Sequence, residues 1–185
     1  MTKCNSVVAI FESHVGAEAA VRELEQSGFN MKKLSLVGRD YHTDENVVGY
    51  YHAGDRMKAT GKTGDFWGGI WSLLFGSAFF NIPKVGPLLV AGPLINWILG
   101  GLEGAVVVGS LSALGVGLFN MGIPEDSILR YEADIKDGKF IVIANGSVEE
   151  TARAHDALQR IGPDALAEHP APSVASKERE NLIAI

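Results

Sequence analysis

The segment from Phe66 to Ile123 constrains the fold of this chain most strongly, because it is almost free of charge. Only Lys84 and Glu103 carry a charge within it. A surface helix of a water-exposed domain shows a polar face, and this segment has none. We therefore predict that the segment is hidden from water, either in a lipid bilayer or inside a protein assembly.

The last third of this apolar insertion carries a small residue at every fourth position. On an α-helix, that spacing places the small side chains in one stripe, along which a second backbone can approach closely. We predict that this glycine-zipper stripe mediates oligomerisation. Its members are Gly101, Ala105, Gly109, Ala113 and Gly117.

We predict a helical hairpin within the insertion. The first helix covers about 66–80 and the second covers about 99–121. The piece between them contains Pro87 and Pro93 and is expected to form a bent or interfacial connector. A membrane-spanning helix needs about 20 mostly apolar residues. Two crossings would return both flanking halves of the chain to the same side of a bilayer.

Two short segments, one on each side of the insertion, repeat the pattern strand, serine, helix, glycine. The first combines a strand at 7–11 with Ser13, and the second combines a strand at 141–144 with Ser147. Serine is a preferred N-cap residue, and glycine commonly ends a helix. Two such βαβ units predict an α+β fold, a ferredoxin-like sandwich split by the insertion.

Further elements complete this division of the chain. We predict a strand over Lys33–Arg39, a weaker strand over Asp164–His169, and a helix that begins at Pro124. The predicted regions are residues 1–40 (first half of the ferredoxin-like domain), 41–65 (polar connecting loop), 66–123 (apolar helical hairpin), 124–169 (helix and second half of the domain) and 170–185 (flexible tail).

Composition and motifs argue against several classes of function. The net charge of −6 disfavours nucleic acid as a partner, since phosphate binding needs clustered Lys and Arg. The only cysteine, Cys4, excludes an internal disulfide framework. The sequence Gly61-Lys62-Thr63 lacks the first glycine of a phosphate-binding loop. We expect no catalytic residue, no cofactor and no metal site.

Two polar features are weighed as functional candidates. The segment 40–55 contains His42 and His52 together with tyrosines and carboxylates, but it lacks the helical spacing of a metal site, which favours a solvated connector or an oligomer contact. Glu103 interrupts the apolar insertion beside the small-residue stripe. An ionisable group at membrane depth is costly, so Glu103 is the candidate functional charge.

Several motifs resemble a known family. They are Gly54-Asp55-Arg56, Phe66-Trp67-Gly68-Gly69, the run from Ile82 to Pro87, Val90-Ala91-Gly92-Pro93-Leu94, Gly122-Ile123-Pro124 and Arg130-Tyr131-Glu132. Together they resemble the bacterial heat-induced general stress protein family (17M-like) and related small glycine-zipper proteins of unknown function. The resemblance extends from about Val7 to Gly162. It implies a split sandwich with a glycine-zipper hairpin, often described as a membrane protein, and it implies no catalytic residues.

Three functional hypotheses follow. The first is a non-enzymatic, membrane-associated stress-response protein that oligomerises through its zipper hairpin, with its folded domain facing the cytoplasm. The second is a soluble cytoplasmic homo-oligomer, a scaffold or shell with the apolar hairpins buried between subunits. The third is an ion-binding or small-molecule-binding protein, such as a transporter subunit, that uses Glu103 and the histidine- and tyrosine-containing loop at 40–55. The expected partners are a second copy of the chain, the lipid bilayer, and a protein bound through the C-terminal tail.

Overall fold

The computed structural model describes residues 5–39, 51–52, 77–82, 85–103 and 112–170, which form a mixed α+β fold. This confirms the α+β part of the predicted fold class. In chain order, the elements are β1 (Asn5–Phe11), α1 (His14–Gln26), a 3-10 turn (Met31–Lys33), β2 (Leu34–Arg39), β3 (Tyr51–His52), β4 (Ser77–Ile82), β5 (Gly86–Ala91), α2 (Leu94–Glu103), α3 (Ala113–Asn120), α4 (Glu125–Lys136), β6 (Phe140–Gly146), α5 (Val148–Ile161) and β7 (Ala165–His169).

The described strands form one sheet in the order β3-β4-β5-β2-β6-β1-β7. Every neighbouring pair is antiparallel. The four strands of the two repeats lie together as β2-β6-β1-β7, and three strands from the middle of the chain extend the sheet beyond β2. The repeats are therefore assembled into one unit although the insertion separates them in sequence.

Helices cover both faces of this sheet. On one face, α1 and α5 form the repeat-helix layer, where Leu24 and Leu158 pack against Val7, Ala9 and other strand residues. On the other face, α2, α3 and α4 form the central-helix layer. Its core residues include Leu94, Ile98, Leu114, Leu118, Ile128 and Ile135, which pack against Val8, Ile10, Val37, Ile141 and Ile143. Much of the described apolar insertion is thus buried against the protein's own sheet.

Local sequence explains the ends of the repeat helices. Ser13 caps α1 by accepting a hydrogen bond from the Gly16 amide. Ser147 and Glu150 form a complete capping box at the start of α5, and Gly162 ends that helix with a positive φ of 77°. The predicted repeats, the helix that follows Pro124 and the final strand are all confirmed. These features are set by residues close together in sequence.

Where the structure describes the first half of the insertion, the predicted helix end and connector are wrong, while residues 66–76 of the predicted helix lie outside the described residues. Residues 77–80, expected to end a helix, belong to β4, and the expected connector contains β5 followed by α2. β5 pairs with both β2 and β4. An apolar run without clear periodicity does not distinguish a buried strand from a buried helix, and β pairing with the exposed edge of β2 decides between them.

The predicted continuous helix over 99–121 is also wrong. α2 ends at Glu103, and α3 begins at Ala113 after Ser112, whose backbone is extended. The Ser112 hydroxyl accepts a hydrogen bond from the Gly115 amide, which makes Ser112 the N-cap of a new helix. Within the described ranges, no helix combines the length and the apolar character that crossing a membrane requires.

Candidate functional site

A row of polar side chains crosses three strands near one end of the sheet. Ser6 of β1 lies opposite His169 of β7 on one side and opposite Asn145 of β6 on the other. Because side chains alternate along a strand, Ser6 points to the same face as Val8 and Ile10, the face under the central-helix layer. The polar row therefore lies between the sheet and these helices.

The shortest side-chain contact of this row joins His169 to Tyr131 of α4. Nε2 of His169 lies 2.6 Å from the Tyr131 hydroxyl oxygen, and both residues are buried. Their rings meet edge to face with the centroids 5.9 Å apart. Burial lowers the pKa of the His169 imidazole and raises the pKa of the Tyr131 phenol. This surrounding therefore favours the uncharged form of both side chains.

Two further buried hydrogen bonds hold the central-helix layer. The Ser6 hydroxyl donates to the Met121 carbonyl oxygen at 3.2 Å, just after the end of α3. The Ser112 hydroxyl donates to the carboxylate of the buried residue Glu132 on α4. Asn145 lies opposite Ser6 in the neighbouring strand, and its Oδ1 atom is buried and has no hydrogen-bond partner among the described residues.

These polar contacts connect secondary-structure elements to one another. They join α4 to β7, the end of α3 to β1, and the start of α3 to α4. If the packed elements shifted, a buried polar group would lose its hydrogen-bond partner, and an unpaired buried polar group costs free energy. Such contacts therefore favour one arrangement of the packed elements. This geometry supports a structural role for these contacts, which is to position the central-helix layer on the sheet.

The outer surface of the central-helix layer carries large apolar side chains. Trp97 of α2 is 44% exposed, while Phe119 of α3 and Leu129 of α4 are each 47% exposed. α2 and α3 pack directly on each other, since a Cβ at Gly117 would lie 3.1 Å from Ile98 Cγ1. The outer surface of this helix pair is the candidate interaction surface of the protein.

The structure separates the members of the predicted small-residue stripe. Gly101 lies in α2, while Ala113 and Gly117 lie in α3. Ala113 is partly buried against the core of the central-helix layer, and Gly117 is buried where α3 approaches α2. Ala105 and Gly109 lie outside the described residues. At Gly117, close helix packing occurs within one chain, and a role of the stripe in oligomerisation stays a prediction.

Most other sequence candidates cannot be placed in a site. Glu103 is the last residue of α2, and His52 lies in β3. Cys4, His42, Lys84 and the segment 61–63 lie outside the described residues. The predicted polar loop 41–65 is described only at 51–52, where it forms a short strand paired with β4.

Sequence reasoning missed the buried polar contacts and the second covered face of the sheet. One signal was present. β1 and β6 read as nearly unbroken apolar runs, whereas a strand with one face in water alternates apolar and polar residues. Such strands indicate helices on both faces, and the two repeat helices can cover only one. The pairing of Tyr131 with His169 had no comparable signal, because these residues are distant in sequence.

Taken together, the geometry defines a three-layer α+β domain whose helices bury an antiparallel sheet on both faces. Comparison with known families is more specific: residues 6–81 match the family model of the heat-induced stress protein YflT domain. The match confirms the predicted resemblance over this part of the chain and supports a stress-response role. No curated protein and no solved structure shows a significant match to the chain.

Proposed function

We propose that this chain is a non-enzymatic stress-response protein that acts by assembling with copies of itself through the central-helix layer. The observation that supports the proposal is the exposure of Trp97 and Phe119 on two helices that pack against each other. Large apolar side chains in contact with water favour association, because burying them removes apolar surface from solvent. The family match provides the stress-response part of the proposal.

The proposed assembly is built on a split ferredoxin-like unit. Its support is the strand order β2-β6-β1-β7 with α1 and α5 on one face. In this proposal the insertion adds strands to the sheet and supplies α2 and α3 as the cover of the second face. The inner sides of these helices belong to the core of each subunit, and their outer sides are available for contact with another subunit.

The direct test is the size of the full-length protein in detergent-free solution, measured by sedimentation velocity over a range of concentrations. We expect a homo-oligomer whose size decreases in the double variant Trp97→Ser/Phe119→Ser. Val15→Ser provides the matched control, because Val15 is 63% exposed on α1 of the opposite layer. A wild-type protein that stays monomeric at all concentrations would overturn the proposal, as would equal effects of the double variant and the control.

A second candidate function is attachment to a bilayer surface through the same helices. Trp97 favours it, since tryptophan is enriched at membrane–water interfaces. Flotation with phosphatidylcholine vesicles separates the two candidates. Recovery of the wild-type protein with the vesicles, lost in Trp97→Ser and kept in Val15→Ser, would favour the bilayer. Absence of the wild-type protein from the floated fraction would reject it.

A further inference from the structure

The strand β7 ends the sheet and has one unpaired edge among the described residues. One edge of β7 pairs with β1, from Ala165 opposite Ile10 to His169 opposite Ser6. An open edge presents backbone N–H and C=O groups that can pair with another strand, and proteins often protect such edges with proline or lysine. β7 contains neither residue, and its one charged side chain is Glu168.

We propose that β7 pairs antiparallel with β7 of a second copy of this chain, which joins two sheets into one. A twofold axis at Ala167 would pair all five strand residues, with Ala165 opposite His169 and Leu166 opposite Glu168. Ala167 would lie opposite its own copy, where its small side chain leaves room for close approach. No like charges would face each other directly in this register.

The geometry favours a second copy over an unrelated extended peptide. An edge that pairs with itself gives a closed twofold contact in which the same residues serve both partners. The opposite end of the sheet is different, because β3 is described only at Tyr51 and His52. Among the described residues, β3 offers two residues for pairing and β7 offers five, so the proposed self-pairing over five residues is available at the β7 edge.

An apolar helix face borders the same edge of the sheet. His155 Nδ1 of α5 lies 3.9 Å from Glu168 Oε1 of β7. Val148 and Ala152 precede His155 on the same side of α5, at helical spacings of four and three residues. Val148 is 66% exposed. Pairing of two β7 strands would bring the two copies of this face toward each other, which decreases the exposure of the valine.

This contact is independent of the proposed contact through Trp97 and Phe119, because it uses a different edge of the molecule. The twofold β7 contact alone closes a dimer, and together with the contact through the central-helix layer it would connect copies of the chain into larger assemblies. A dimer that persists in Trp97→Ser/Phe119→Ser would be held by β7. The two proposals can therefore fail separately.

Disulfide trapping tests the register. In full-length protein carrying Cys4→Ser, we expect Ala167→Cys to form an intersubunit disulfide rapidly, since directly opposed Cβ atoms in antiparallel strands lie about 4.5–5.5 Å apart. Leu166→Cys is the matched control, because in this register Leu166 lies opposite Glu168 rather than its own copy. Cross-linking at least about tenfold faster at 167 supports the twofold pairing. Equal rates, or no disulfide at 167, would overturn it.

A second variant tests the contact without an added thiol. Ala167→Lys places two positive charges at the twofold axis, and we expect self-association through β7 to weaken by at least about tenfold. Ala19→Lys on α1 is the control, because Ala19 and Ala167 are both partly buried. Circular dichroism of both variants checks that the fold is kept. Unchanged oligomer size in a folded Ala167→Lys protein would reject the β7 interface while leaving the proposed function standing.

Discussion

The Tyr131 hydroxyl oxygen lies 2.6 Å from Nε2 of His169, and this buried contact joins helix α4 to the edge strand β7. It also connects the central-helix layer with the polar row formed by Ser6 and Asn145. Because burial lowers the pKa of His169, the native state holds the imidazole in its neutral form more strongly than the unfolded chain does.

The first prediction concerns pH. An unfolded histidine titrates near pH ~6.5, and the folded pKa of His169 is lower. As pH falls below about 6.5, the unfolded chain takes up a proton before the native state does, so the free energy of unfolding decreases. Above that pH the two states are both neutral at this site, and its contribution becomes constant. Urea unfolding at a series of pH values from about 7.5 to about 5 measures this decrease in the free energy of unfolding.

The His169 assignment needs its own control. His169→Gln should flatten the pH dependence, while His155→Gln should leave most of it, because His155 lies on the other face of the sheet near Glu168 and Asp156. The same slope in His169→Gln and in the wild-type protein would contradict the assignment. An NMR titration of the His169 ring protons provides an independent reading.

The second prediction compares two serine caps. Ser112→Ala removes the N-cap of α3 and also the partner of the buried carboxylate of Glu132, so we expect a loss of about 2–4 kcal/mol in the free energy of unfolding. Ser13→Ala removes an N-cap of the same type from the exposed start of α1, with an expected cost of about 1 kcal/mol. Chemical denaturation measures both variants, and equal losses would argue against a stabilising role of the contact with Glu132.

The third prediction concerns Gly92, which lies between β5 and α2. Its φ is 86°, and an added Cβ would lie only 2.0 Å from the Leu34 carbonyl oxygen. Gly92→Ala therefore combines backbone strain with a clash against β2, and we expect a loss of more than about 3 kcal/mol. Gly28→Ala is the matched control, since Gly28 has a φ of 77° with open space around it. Its expected cost is about 1–2 kcal/mol. Similar melting temperatures for the two variants would contradict the close approach at Gly92.

The fourth prediction separates packing within a chain from packing between chains. At Gly117, a Cβ would meet Ile98 Cγ1 at 3.1 Å and Leu94 Cδ1 at 3.3 Å. Gly117→Leu should decrease the stability of each subunit by about 1–3 kcal/mol, because it pushes α3 away from α2. Gly117→Ala should be much milder, since the two closest atoms belong to side chains, the Ile98 backbone nitrogen lies at an ordinary contact distance of 3.4 Å, and alanine favours a helix. A change in oligomer size with unchanged subunit stability would instead place Gly117 between subunits.

Local sequence determined the repeated units of this protein. Ser13 and Ser147 start their helices and Gly162 ends the second one, because caps depend on residues within a turn of each other. The α+β class followed from the repeats for the same reason. The unbroken apolar character of β1 and β6 also contained the information that both faces of the sheet are covered.

Only the tertiary structure decided where the described parts of the apolar insertion lie. Its composition required burial, but lipid, another subunit and the protein's own sheet can all bury an apolar surface. β5 pairs with the edge of β2, and α2 and α3 pack on the sheet face that the repeat helices leave uncovered. The contacts of Ser112 with Glu132 and of Tyr131 with His169 arose in the same way, since hydrogen bonds between distant residues depend on how packed elements meet. The hydrophobic effect is not directional, so the strand edges and sheet faces that are available determine where an apolar segment packs.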